Sequence, residues 1–273
     1  MTGPPGRAVL PVGGHESAAG LPPGGAAGPL PGAGGISGPG RGLRTALRDR
    51  PRAVAVPMTL GRDPDLAPAA AQTLAWAARD RTPGDLLLAE PLGTLTHLVG
   101  WIRAAVMRVA RAGDAAGAVL LVAPAAGPDA DAELFKVARL VWHYLPVRRV
   151  EVALDGGEPD VVEGVERCRR LGAREVALVP ASLVPPPPCP GAVSAGPLLR
   201  PAAVAALVRE RAAEAELRWE RAGDDGLGMA AVHGHGHGHG HGHPVGHSDG
   251  PRHHHAFTEN TETILEGAAA HGG

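Results

Sequence analysis

The chain has 273 residues, with 26 Lys and Arg against 28 Asp and Glu, and a formal net charge of −2. That balance excludes a strongly basic nucleic-acid surface, and two cysteines outside any CxxC spacing argue against a zinc knuckle, an iron–sulfur cluster or a disulfide scaffold. Aromatic residues are 3% of the chain, so its core is to be built from Ala, Val and Leu around four tryptophans. No apolar run approaches the ~18 residues of a membrane span, and no basic stretch leads into an apolar export core. The expectation is a cytoplasmic protein with no membrane partner.

In chain order, "AVLPV" (Ala8 to Val12) reads as a buried strand closed by Gly13 and Gly14. Residues 17–42 form a Gly/Pro-rich insertion, too poor in helix formers for a regular helix. Its "GAGGISG" lacks the G-x-G-x-x-G spacing and no GK[ST] follows, which argues against a phosphate loop. From Leu43 the punctuation becomes regular. A short helix is expected at "LRTALRD", a strand at Ala53 to Leu60, a helix at Asp65 to Asp80, a strand at Leu86 to Ala89 and a helix at Leu95 to Arg111.

The series then restarts. Strands are expected at Ala118 to Val122, "RVEVAL" and "EVALVP", and helices at Asp131 to His143, Pro159 to Leu171 and Pro201 to Arg221. Cys168, inside "VERCRRLG", reads as a small packing residue on its helix. Strands alternating with helices of this length imply parallel sheet with helices on both faces. Two internal matches suggest duplication: Ala8-Val9-Leu10-x-Val12 recurs as Ala118-Val119-Leu120-x-Val122, and "VAVPMTL" (Val54 to Leu60) recurs as "ALVPASL" (Ala177 to Leu183). The expected architecture is α/β, with two tandem parallel-sheet halves at 1–112 and 113–222.

Beyond residue 222 apolar periodicity stops, and a His/Gly-rich tail spans 223–273. Its "HGHGHGHGHGH" run places His233, His235, His237, His239, His241 and His243 at every second position, with His247 close behind. Neutral imidazoles on a glycine chain can gather around Co²⁺, Ni²⁺, Zn²⁺ or Cu²⁺ without a preformed site, so the tail reads as disordered and metal-binding.

Several phrases belong together: "VGGHES" after the first strand, "VPMTLGRDP" after a later one, then "LAEPLGTLTHLVGWIRAA", "DADAELFKVARLVW" and "EGVERCRRLGAREVALVPA". This set resembles the sirohydrochlorin chelatase family, in particular its two-repeat, cobaltochelatase-like actinobacterial members. The resemblance covers most of Arg7 to Arg221. It implies a chelatase-like fold that inserts a divalent metal into the tetrapyrrole sirohydrochlorin, with cobalt leading toward cobalamin and iron toward siroheme. Sirohydrochlorin and the metal ion are the implied partners, and no organic cofactor is called for. Co²⁺ is the expected metal, with Fe²⁺ and Ni²⁺ also compatible with imidazole and carboxylate ligands.

Metal insertion needs a base of near-neutral pKa for the pyrrole N–H protons, a ligand that helps the ion shed water, and groups that receive substrate carboxylates. His15 meets the first two demands and follows the first strand, on the edge where parallel sheets place their clefts. In the family, the histidine after the first strand contacts metal and assists deprotonation. Here "GGHES" stands in place of the commoner "GHGS", and Glu16 offers a carboxylate beside His15. The second family histidine, expected after the strand ending at Pro57, is absent. Arg62 and Asp63 occupy that region: Asp63 as a metal ligand, Arg62 as a partner for a substrate carboxylate, or both as part of a turn leading into a helix.

The second half puts Ala125 opposite His15, so the site belongs to the first half. His97 reads more readily as a helix-capping or packing residue than as a site residue, His143 as a complement to a helix dipole, and Glu90 as a cleft carboxylate of low specificity. A second function class follows from the missing histidine: a non-catalytic metal-binding or metal-delivery protein on a degenerate chelatase fold.

Overall fold

A computed structural model describes residues 6–17, 35–111, 117–143, 145 and 147–228. The chain runs β1 (Ala8–Val12), α1 (Arg41–Ala46), β2 (Ala53–Pro57), α2 (Leu66–Ala77) with a 3-10 turn at Ala78–Asp80, β3 (Leu86–Leu88) and α3 (Leu95–Arg111). It continues as β4 (Ala118–Pro124), α4 (Pro128–His143), β5 (Val150–Asp155), α5 (Val161–Arg170), β6 (Val176–Pro180), β7 (Val193–Ser194) and α6 (Pro201–Ala222).

The strands form two sheets, ordered β1-β2-β3 and β5-β4-β6-β7, and every pairing is parallel. The α/β architecture with parallel sheets flanked by helices is therefore as the sequence pattern implies. The short runs of Ala, Val and Leu are strands because both faces of each sheet are covered, which removes the polar alternation of a solvated sheet. The two-residue β7 is an element the pattern did not disclose, since it is too short and exposed to carry one.

The internal matches correspond in register. Val9 pairs with Val54 in one sheet, and Val119 with Ala177 in the other, the same residues that the two sequence matches align. The sheets differ at one edge. β5 lies along β4, whereas the corresponding edge of β1 carries a bridge between Val12 and Ser37, at the end of the Gly/Pro-rich insertion.

Three apolar layers result. Leu43, Leu47, Leu66, Ala70 and Leu74 of the α1–α2 region cover one face of the first sheet. Val161, Val165 and Cys168 of α5 cover one face of the second. Between the sheets lies the largest layer, where Val54, Val56 and Leu87 share a core with Val119, Leu121, Val152 and Val179 through α3, α4 and α6. The last helix, α6, packs on β1, β2 and β3, while α3 packs on β6, so each half lends a helix to the other's sheet. With few aromatic residues, close backbone approach does much of the filling. A side chain at Gly84 would meet the Trp219 ring at 2.2 Å, and one at Gly93 would meet Trp101 at 2.9 Å.

No described helix is long and apolar enough to cross a membrane.

Candidate active site

Parallel strands bring their C-terminal ends to one edge, and the turns after β1 and β2 meet there because Val12 pairs with Pro57. The N–H of Met58 donates to the Val12 carbonyl at 2.7 Å, which holds the two turns side by side. His15, Glu16 and Ser17 lie on the first turn; Thr59, Arg62 and Asp63 lie on the second.

Nδ1 of His15 stands 3.2 Å from Oδ2 of Asp63, with both side chains largely buried. The other ring nitrogen, Nε2, is buried and has no partner among the described residues. A buried nitrogen without a partner costs about 1–3 kcal/mol, a cost removed when a hydrogen-bond donor or a metal ion engages its lone pair. Asp63 is seated closely. Its N–H donates to Thr59 Oγ1 at 3.3 Å, and its carboxylate lies over Gly14, where an added Cβ would fall 1.9 Å from Oδ2. A side chain at residue 14 would therefore force the Asp63 carboxylate to move. A turn in which Ser17 Oγ accepts from Gly14 N–H at 3.2 Å presents His15 from this backbone.

Glu16 braces the second turn. Its side chain is wholly buried, and Oε2 accepts from the hydroxyl of Thr59, from Leu60 N–H at 2.8 Å and from Arg62 N–H at 3.1 Å. Through Oε2 the carboxylate binds the second turn to the first. Oε1 is buried without a partner among the described residues.

Arg62 is buried as well, its guanidinium wholly enclosed. Nε donates to the Ala130 carbonyl at 3.1 Å and Nη2 reaches Asp131 Oδ1 at 3.5 Å, both at the start of α4. Asp131 Oδ1 also accepts from Ala126 N–H at 3.2 Å. Burial pulls the Arg62 guanidinium below its ordinary pKa, and the carboxylates of Glu16, Asp131 and Asp63 oppose that pull. Arg62 joins the turn after β2 to the turn after β4.

The second half keeps the scaffold of this arrangement without its chemistry. Thr59 Oγ1 accepts from Gly61 N–H at 3.0 Å, and its repeat counterpart Ser182 accepts from Val184 N–H at 3.1 Å. Where the Thr59 hydroxyl donates to Glu16, that of Ser182 donates to the Val184 carbonyl, because alanines follow β4 where His15 and Glu16 follow β1. Leu183 N–H donates to the Glu16 carbonyl at 2.8 Å and closes the two edges together.

Other sequence candidates lie apart from this group. His97 Nδ1 accepts from Thr94 N–H at 3.2 Å and its ring stacks on Trp101 at 5.6 Å, a helix-start role. His143 ends α4. Glu90 is exposed, pairs with Arg218 at 3.5 Å and lines a shallow pocket with Leu88, Asp224 and Gly228. The tail histidines, His233 to His247, lie outside the described residues. Among the described residues, no group of three or more His, Cys, Asp or Glu side chains gathers as a metal cage. Thr59 and Asp131 were not singled out from sequence. The repeated hydroxyl of the "VPMTL" and "VPASL" matches was the available signal for the first, and only the tertiary contact reveals the second.

The fold and site define an α/β protein with a histidine–carboxylate pair where two parallel strands end. A stretch of 54 residues is 43% identical to the sirohydrochlorin cobaltochelatase of Priestia megaterium, and it covers 19% of this chain and 18% of that protein. The match supports the sirohydrochlorin chelatase family, which the motifs resemble, over that part of the chain. The chain also aligns with the crystal structure of the sirohydrochlorin chelatase SirB from Bacillus subtilis subspecies spizizenii in complex with cobalt. The TM-score is 0.45 at 16% identity, with 80% of this chain and 99% of that chain covered. No protein-family model matches.

Proposed function

We propose that this protein inserts a divalent metal ion, Co²⁺ in the first instance, into sirohydrochlorin on a route to cobalamin or siroheme. The observation that carries the reading is the His15–Asp63 pair, with its unpartnered Nε2, at the C-terminal edge of β1 and β2. The partial match to a cobaltochelatase supports the choice of substrate and metal.

Each turnover requires an incoming ion to exchange water for tetrapyrrole nitrogens while two pyrrole protons depart. His15 supplies a nitrogen that holds the ion transiently or takes a proton, since an imidazole does both near neutral pH. A donor set of one imidazole and a neighbouring carboxylate leaves the remaining coordination positions to water and to the macrocycle. That suits an ion that is substrate and must leave in the product. In this reading the two halves, residues 1–112 and 113–222, form one site between them, with the second half closing the cleft. The histidines at 233, 235, 237, 239, 241, 243 and 247 gather metal for it.

Anaerobic incubation of the protein with sirohydrochlorin and Co²⁺, followed by the absorbance change of the macrocycle, tests the reading. Insertion faster than in buffer is expected, and His15→Ala is expected to slow it about 100-fold or more. A rate equal to buffer overturns the enzyme reading and leaves a metal-binding protein.

A further inference from the structure

We propose that Asp63 is a positioning residue for His15: it accepts a hydrogen bond from Nδ1–H and so reserves the lone pair of Nε2 for the incoming metal or proton. The inference deepens the chelatase reading of the same site and assigns Asp63 a role other than direct metal ligation. Three observations carry it.

The first is the contact itself. An imidazole that donates from one ring nitrogen keeps the other as an acceptor, and the partner of the donating nitrogen fixes which is which. Here the carboxylate sits at Nδ1, 3.2 Å away, and Nε2 is the nitrogen left buried and unpaired among the described residues. The tautomer and the free acceptor are therefore set by the same bond.

The second is how the carboxylate is held. Thr59 Oγ1 accepts from Asp63 N–H at 3.3 Å, and Gly14 presents bare backbone beneath Oδ2, where any side chain would overlap it. An oxygen pressed between a backbone and an imidazole is poorly placed to circle a metal ion. It is well placed to hold a ring.

The third is the support of the turn that carries Asp63. Glu16 Oε2 takes the Thr59 hydroxyl and the N–H groups of Leu60 and Arg62, fixing residues 59 to 62 just before Asp63. A chain of fixed groups therefore runs from Glu16 through the β2 turn to Asp63 and His15. It stands where the family resemblance leads one to expect a second histidine, so a single imidazole is oriented here by a carboxylate.

The test is ¹⁵N–¹H correlation of the imidazole side chains in the full-length, metal-free protein at about two pH units above the ordinary imidazole pKa of about 6.5. The His15 signal is assigned by its loss in His15→Gln. The parent is expected to show the Nδ1–H tautomer at His15, and Asp63→Ala is expected to shift His15 toward the Nε2–H tautomer that free imidazoles favour. Gly14→Ala, which displaces the carboxylate from the other side, is expected to do the same, so the inference does not depend on one variant folding. An Nε2–H tautomer in the parent overturns it. So does an unchanged tautomer in a folded Asp63→Ala or Gly14→Ala protein. None of these readings depends on chelatase activity, so the positioning role and the proposed reaction fail separately.

Discussion

Nη2 of Arg62 stands 3.5 Å from Oδ1 of Asp131, and this contact links the turn after β2 to the start of α4. Arg62 is wholly buried while Asp131 keeps part of its surface in water. Removing the guanidinium takes away one donor from the Ala130 carbonyl and one from Asp131, which keeps Ala126 N–H, and opens a void in the buried turn. Arg62→Ala is expected to lower the unfolding free energy by about 2–4 kcal/mol, somewhat below the loss for a fully buried pair. Urea denaturation followed by circular dichroism measures it, and a change within about 0.5 kcal/mol removes Arg62 as a structural link.

Glu16 gathers one hydroxyl and two backbone N–H groups on a single oxygen. Glu16→Ala leaves three buried donors unpaired, whereas the amide oxygen of Glu16→Gln can still accept. We expect a loss of about 2–4 kcal/mol for alanine and less than half of that for glutamine, since each unsatisfied donor costs about 1–3 kcal/mol before relaxation. Equal losses in the same urea experiment contradict the anchoring role.

Gly61 has φ +106°, and a Cβ there would come within 2.6 Å of Leu95 N at the start of α3. Gly61→Ala combines backbone strain of about 1–3 kcal/mol with a clash against main chain. Thermal unfolding is expected several degrees lower, and a Tm matching the parent refutes the close approach.

Burial pushes the Cys168 thiol up to about 11, with Glu151 adding to the rise. The thiol is therefore neutral at pH 8 and slow toward electrophiles. A disulfide reagent is expected to label Cys189 in the native protein and Cys168 only after denaturation. The linkage has a definite sign. A thiol pKa raised on folding stabilises the native state below the unfolded value of 9.0, and that contribution is lost as pH rises toward about 11. Native labelling of both cysteines at equal rates contradicts the burial.

Deleting the chain after Gly228 removes the histidine run and retains every described residue. If the tail gathers metal, the truncated protein is expected to match the parent at saturating Co²⁺ and to fall behind when the ion is scarce. An equal rate at both concentrations removes the tail from metal supply.

The sequence by itself determined six of the seven described strands and the parallel class, and it offered two internal matches. Each of these rests on local signals: runs of Val, Ala and Leu, helical stretches between them, and a repeated strand phrase whose register the sheets share. It also placed His15 and Asp63 after strands that end on one edge. Tertiary structure alone decided what the side chains do. Glu16 and Arg62 read as exposed chemistry because charged residues near glycine turns usually face water. Both are buried instead, one accepting from the neighbouring turn and the other reaching α4. The exchange of α3 and α6 between the sheets was equally hidden, since an apolar helix face records that it is buried and not against which sheet. The His15–Asp63 bond needed both levels. Sequence brought the residues to one edge, and the register of β1 on β2, with bare backbone at Gly14, brought them to 3.2 Å.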